Sequence, residues 1–181
     1  MQRYPTISIV MHWLIAILII AAFILGSCMT DLRISPTKLK LYSWHKWLGV
    51  TILGFVALRL LVRLIKGAPS YPDSMQVWEK QAANAAHIGL YFLMFAVPLS
   101  GYLYSYAAGF PVVYLGLFEL PALIEPNPEW KDSLKEAHEI LTKCMFAIVL
   151  LHIGAALKHQ FINKDGVLQR MLPTKSNKES T

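Results

Sequence analysis

The chain is poor in charge. Asp, Glu, Lys and Arg make up 15% of its 181 residues, against about 25% in an ordinary soluble domain. Cysteine is also scarce, with only Cys28 and Cys144. Two lone thiols make no metal motif, and their spacing argues for no bridge, so buried free thiols are expected. Internal repeats and low-complexity tracts are missing. The net charge is +6, but no basic stripe interleaves with aromatics, so nucleic acid is not an expected partner. What the chain has instead is apolar surface. Hydrophobic residues make up 55% of it, gathered into long runs that imply a helix bundle in a lipid bilayer rather than a globule in water.

Four spans are read, at about 7–28, 44–65, 85–106 and 138–161, forming one domain over residues 1–172 with a polar tail over 173–181. The first run is longer than the 7–15 residues of a signal h-region, so the lipoprotein-like Leu25-Gly26-Ser27-Cys28 is expected to stay within a span. Prolines punctuate the connections: Pro36, Pro69, Pro72, Pro111, Pro121, Pro126 and Pro128. Pro98 falls inside the third span, where it should kink the helix. With both termini inside, the inner segments hold nine Lys and Arg and the outer loops six. That balance favours an N-in, C-in topology. The loop from Ala107 to Lys135 carries Phe110, Tyr114, Phe118 and Trp130, and is expected to lie along the outer surface over the bundle mouth.

Histidine placement carries the chemistry. His138 and His152 are fourteen residues apart, close to four helical turns. Both imidazoles therefore face one way, about 21 Å apart along the axis. Histidine inside a membrane span is costly and marks a functional site by default. His45 opens the second span near the outer face, level with His138. His12 lies in the inner half of the first, level with His152. Two histidines near each face are what a bundle needs to hold two b-type haems, one above the other, with side chains of facing helices as axial ligands. On depth alone, His87 or His159 could take the place of His12. Both also sit nearer the inner rim than His152, which suits a quinone or proton-handling site, with Arg63 or Lys158 nearby.

Arg59 is fourteen residues past His45, which brings it down to the inner haem level. A haem propionate is its natural partner, because guanidinium binds carboxylate bidentately. Arg63, one turn further, reaches either a similar anion or the inner interface. Arg33, Lys38, Lys40 and Lys46 run against the positive-inside trend and flank His45. A cationic rim in that place would raise the encounter rate of a small anion with the outer haem.

Met11-His12-Trp13, His45-Lys46-Trp47-Leu48-Gly49 and Arg59-Leu60-Leu61-Val62-Arg63 together resemble the prokaryotic cytochrome b561 family. So do Ala86-His87, Gly101-Tyr102-Leu103, Leu151-His152, Lys158-His159-Gln160-Phe161 and the ending from Asp165 to Met171. The resemblance runs nearly end to end. It implies an all-α transmembrane four-helix bundle holding two haem b groups, with His12 and His152 on one iron and His45 and His138 on the other. It also implies electron transfer across the membrane. One member of this family is a superoxide oxidase, passing electrons from periplasmic superoxide to ubiquinone, and the resemblance extends that activity here as an expectation. Lys46, Arg33, Lys38 and Lys40 would then serve the substrate, and ubiquinone would be the acceptor. The stretch from Gly101 to Pro121 looks more like a branch often encoded beside a small periplasmic isoprenoid-binding protein. The alternative function is therefore a relay between the quinone pool and a periplasmic protein partner.

Overall fold

The computed structural model describes residues 2–173; the rest of the polar tail lies outside the described residues. Four long helices follow one another: α1 over Thr6–Thr30, α2 over Pro36–Lys66, α3 over Val77–Ala107 and α4 over Pro128–Lys158. All four are long and apolar enough to cross a membrane. Neighbours in sequence pack together, α1 on α2, α2 on α3 and α3 on α4. The α1–α2 and α3–α4 connections lie at one end, here termed outer, and the α2–α3 connection and both termini lie at the inner end.

Three helices start eight to ten residues before the expected spans, and the sequence explains why. Pro36 and Pro128 do not break helices but begin them. Proline at the first helical position lacks only an N–H that would be unpaired anyway. Just before them, Ser35 Oγ accepts the Lys38 N–H at 3.2 Å, and Asn127 Oδ1 accepts those of Glu129 and Trp130 at 2.9 and 3.3 Å. At the start of α3 the Glu79 carboxylate reaches back to the Gln76 N–H at 3.1 Å, half of a capping box. The helix runs on through Pro98.

The fully packed centre is small and lies midway along the bundle. Ile15 and Ile19 of α1, Ile52 and Val56 of α2, Leu93 and Met94 of α3, and Met145 of α4 form it. Met145 is seven residues from both His138 and His152, so the centre separates the two histidine levels. Many large apolar side chains point outward, among them Ile17, Leu64 and Leu151. In a bilayer those outward faces meet lipid, and no water-driven core is required. Cys28 and Cys144 are free, as expected, but exposed rather than buried. Their helix faces belong to that outer surface.

The α3–α4 connection folds back over the outer mouth. It carries a short hairpin, β1 over Val113–Tyr114 and β2 over Phe118–Glu119, paired antiparallel with Val113 opposite Glu119. The hairpin is fastened to α2 by Trp47 Nε1, which donates to the Val113 carbonyl at 2.7 Å, and by a Thr51–Tyr114 hydroxyl contact at 2.9 Å. Tyr102 and Tyr106 of α3 donate to the carbonyls of Pro121 and Leu120. At the inner end α4 widens into a π-helical turn over His159–Asn163, followed by a 3₁₀ turn over Leu168–Met171. Trp13 Nε1 ties that last turn to α1 through the Met171 carbonyl at 2.8 Å.

Candidate functional site

Four histidines meet in two pairs across the bundle. His45 of α2 faces His138 of α4 at the outer level, with ring centroids 6.3 Å apart. His12 of α1 faces His152 of α4 at the inner level, at 6.2 Å. Two imidazoles on opposite sides of one metal ion, each with a metal–nitrogen bond of about 2 Å, have centroids about 6.3 Å apart. Both pairs therefore fit an iron between them. The ring planes cross at 88° and 70°, which rotation about the ligand–iron–ligand axis accommodates. His87 also lies beside His152, but at 5.5 Å. That is closer than an intervening iron allows.

The outer pair lines a cavity of about 710 Å³, within the size range of a cofactor site. Lys38, Lys46, Pro98 and Gly101 share its walls, and Phe110 and Pro111 of the folded-back loop close one side. Two glycines make room for the outer imidazoles. A Cβ on Gly101 would stand 2.9 Å from His138 Cε1, and one on Gly26 would stand 3.2 Å from His45 Cε1. Each outer imidazole thus lies against bare backbone of a neighbouring helix.

The His138 ring is further held by α3. Its Nδ1 lies 2.9 Å from the Val97 carbonyl oxygen and 3.1 Å from Ser100 Oγ, while the Ser100 hydroxyl donates to that same carbonyl at 2.8 Å. A carbonyl can only accept, so Nδ1 carries the hydrogen and Nε2 keeps its lone pair for a metal. His45 Nδ1 is buried without a hydrogen-bond partner. That nitrogen faces the α1 backbone, 3.6 Å from a Cβ built on Gly26. Spacing in the sequence pointed to the histidines but not to Val97, Ser100 and Gly101. Pro98 and Gly101 were the available signals, a helix breaker and a missing side chain one turn apart.

At the inner level Arg59 is half-buried, and its Nη1 donates to the Ser8 carbonyl of α1 at 3.0 Å. Its charge lies within Coulombic reach of both His12 and His152. Arg63, one turn on, lines a shallow groove between α2 and α3 with Leu60, Ile88 and Tyr91. His87 Nδ1 and the Tyr91 hydroxyl are buried without partners nearby on α3. Outside the spans, burial raises the Tyr71 phenol above its ordinary range, Tyr4 adds to the shift, and Arg63 opposes it.

The residues expected at the inner rim separate into two places. His87 and Arg63 belong to the α2–α3 side. His159 and Lys158 belong to the α3–α4 side, where Lys158 Nζ meets Glu79 Oε1 at 2.5 Å and lies over the Trp78 ring. His159 is buried, with Nδ1 2.5 Å from Asp165 Oδ2.

The four outer basic residues also divide. Lys38 caps the end of α1, its ammonium donating to the carbonyls of Thr30 and Leu32 at 3.2 and 2.6 Å. Lys46 donates to the carbonyls of Phe110 and Pro111 at 3.2 and 3.4 Å, holding the loop at the mouth. Both side chains line the cavity wall. Lys40 lies over the Trp44 ring and Arg33 is exposed, and neither lines the cavity.

Comparison with known proteins gives these pairs their context. A family model described as prokaryotic cytochrome b561 matches residues 3–174. Cytochrome b561 homolog 2 of Escherichia coli (strain K12) is 35% identical over 177 residues, covering 97% of this chain and 94% of that protein. Cytochrome b561 homolog 1 of the same organism is 29% identical over 178 residues, 96% of this chain and 98% of its own length. A probable superoxide oxidase, CybB of Yersinia pestis, is 28% identical over 179 residues, again 96% and 98%. With four helices long and apolar enough to cross a membrane and the family match running nearly end to end, the chain belongs to the prokaryotic cytochrome b561 family of haem b-containing membrane electron-transfer proteins.

Proposed function

We propose that the protein carries electrons through two haem b groups, one at each histidine level, from superoxide at the outer face to ubiquinone at the inner face. His45 and His138 would hold the outer iron, and His12 and His152 the inner one. The haems, when bound, supply one-electron transfer. The protein's own side chains hold them, orient them and separate them by the packed centre around Met145. The observation that carries this reading is the recurrence of one ligand-pair distance, 6.3 and 6.2 Å, at two levels of one bundle. Arg59 would neutralise a propionate at the inner level, and Arg63 and His87 would border the quinone on the α2–α3 side. The proposed setting is the bacterial inner membrane with both termini inside.

Superoxide as the outer substrate is supported by the two ammonium groups on the cavity wall, Lys38 and Lys46, and by the likeness to a probable superoxide oxidase. Fixed positive charge at a cleft raises the encounter rate of a small anion. Catalysis then requires no bond-making by the protein, only a haem edge reachable from the cleft. The relay reading also has an observation in its favour. The loop over the mouth exposes Leu117, Phe118 and Leu123, a surface on which a periplasmic protein could seat. A superoxide pulse applied to the oxidised, purified protein separates the two. Haem reduction at a rate that falls with ionic strength supports the oxidase. Unreduced haems that accept electrons only from a protein donor support the relay.

A further inference from the structure

The two histidine levels differ in what stands behind the ligands. At the outer level each imidazole lies against one turn of a neighbouring helix that offers a carbonyl and, one turn on, a glycine. For His138 these are Val97 and Gly101 of α3, with Nδ1 2.9 Å from the Val97 oxygen. For His45 they are Ala22 and Gly26 of α1. The Ala22 carbonyl is within reach of the His45 ring, in a looser contact that closes no hydrogen bond at Nδ1. Glycine lets each ring approach the backbone, and a carbonyl there can only accept from it. An imidazole whose N–H is turned to a carbonyl is a more basic ligand. A more basic ligand favours ferric over ferrous iron and so lowers the potential of the haem it holds.

The inner level is built otherwise. Among the described residues, neither His12 nor His152 makes a hydrogen bond. Their neighbours are rings: Trp13 stands edge-on to His12 at 5.4 Å between centroids, and His87 edge-on to His152 at 5.5 Å. No glycine of the four helices lies against either ring. What the inner level has instead is charge. Arg59 is half-buried, donates to the Ser8 carbonyl, and acts on both His12 and His152. A fixed cation beside a redox centre favours the reduced form, which carries one positive charge fewer. Paired with a propionate, Arg59 cancels a negative charge that would lower the potential, so the sign is the same. The outer level has Lys38 and Lys46, but both make their carbonyl bonds in exposed surroundings at the mouth, where water and salt screen them. Arg59 makes its own in a partly buried place.

We propose that these surroundings set the two haem potentials apart, the outer lower and the inner higher, with the Val97 and Ala22 carbonyls acting through the outer ligands and Arg59 acting on the inner level. This rests on the reading that each histidine pair holds a haem. Transfer inward is then downhill. One electron leaves the outer iron, which is oxidised, and reaches the inner iron, which is reduced, with no proton or bond exchanged at any ligand. The two ligand pairs are alike in spacing, 6.3 and 6.2 Å, so their spacing gives the bundle no direction. The carbonyls at one level and the guanidinium at the other do.

The test is an anaerobic redox titration of the purified holoprotein at one pH, followed by haem absorbance. The wild type is expected to titrate in two steps at least about 59 mV apart, which for one electron is a tenfold preference for the inner site. His138→Ala, which keeps the inner haem alone, is expected to titrate at the upper step. His152→Ala, which keeps the outer haem alone, is expected at the lower. Arg59→Gln should lower the upper step and leave the lower one in place, with both haems bound, and Arg59→Lys should recover most of the shift. Coincident steps, the reverse order in the single-haem variants, or an Arg59→Gln protein whose upper step does not move overturns the proposal and leaves both haems standing. A wild-type chain that binds one haem overturns the reading beneath it.

Discussion

At the scale of single residues, the outer site is built as much from backbone as from side chains. The His138 ring lies on Gly101 and donates to the Val97 carbonyl, so its tautomer and tilt are set before any metal arrives. Gly101→Ala places a methyl 2.9 Å from the ring. We expect the purified variant to keep the inner haem and lose most of the outer one, read from the absorbance spectrum. Equal loss of both haems would make Gly101 a general packing residue instead. Ser100→Ala removes a hydroxyl beside Nδ1 while leaving the carbonyl. Changes behind a metal ligand typically cost about 10–100-fold in affinity, and Ser100→Ala is expected at the lower end, measured by haem titration of the apoprotein. Ser100→Thr should recover it. The two histidine pairs were legible in the sequence because the fourteen-residue spacing of His138 and His152 is helical arithmetic. Their supports were not, because a carbonyl has no sequence signature and a glycine in a span has many uses. Asp165 was hidden for another reason. It reaches His159 only through a left-handed turn and a π turn, which helical spacing does not foresee.

At the scale of elements, the helices outrun the hydrophobic runs that announced them. Hydropathy marks where a helix meets lipid, whereas capping decides where it begins. Ser35-Pro36 and Asn127-Pro128 therefore start helices that apolar content alone would start eight to ten residues later. These extra turns hold up the outer loop and the walls of the outer cavity, so the site depends on polar capping as well as apolar length. Ser35→Ala and Asn127→Ala should each cost about 1 kcal/mol and loosen the outer end first. Hydrogen exchange at the start of α2 or α4 should then rise before exchange near Met145 does. Met145 itself sits in the packed centre, 4% exposed. Its replacement by alanine is expected to cost on the order of 2–5 kcal/mol, seen as earlier thermal loss of haem absorbance with an unaltered starting spectrum. A variant that instead lost one haem selectively would place Met145 in a haem pocket rather than between two.

At the scale of the whole molecule, polarity along the bundle axis organises function. Lysines line the outer cavity, histidine pairs mark two levels, an apolar layer divides them, and a buried His–Asp pair lies below. Hydropathy and residue spacing anticipated the four helices and the two histidine levels because the bilayer forces polar groups into few places. They did not separate Lys38 and Lys46, which line the cavity, from Arg33 and Lys40, which do not. If the rim steers superoxide, Lys46→Glu and Lys38→Glu should each lower the bimolecular rate of haem reduction severalfold at low salt. Arg33→Glu and Lys40→Glu should change it much less. All differences should shrink as the Debye length falls from about 10 Å at 0.1 M to about 3 Å at 1 M salt. A wild-type rate indifferent to salt would remove steering altogether.

The arrangement of two histidine pairs stands or falls on haem stoichiometry. Pyridine haemochrome analysis against protein concentration, made on the wild type and on His138→Ala, measures it directly. Two haems b per wild-type chain, and one in the variant with the inner spectrum retained, are the expected results. One haem per wild-type chain, or a His138→Ala protein that still binds two, would contradict the paired-ligand bundle.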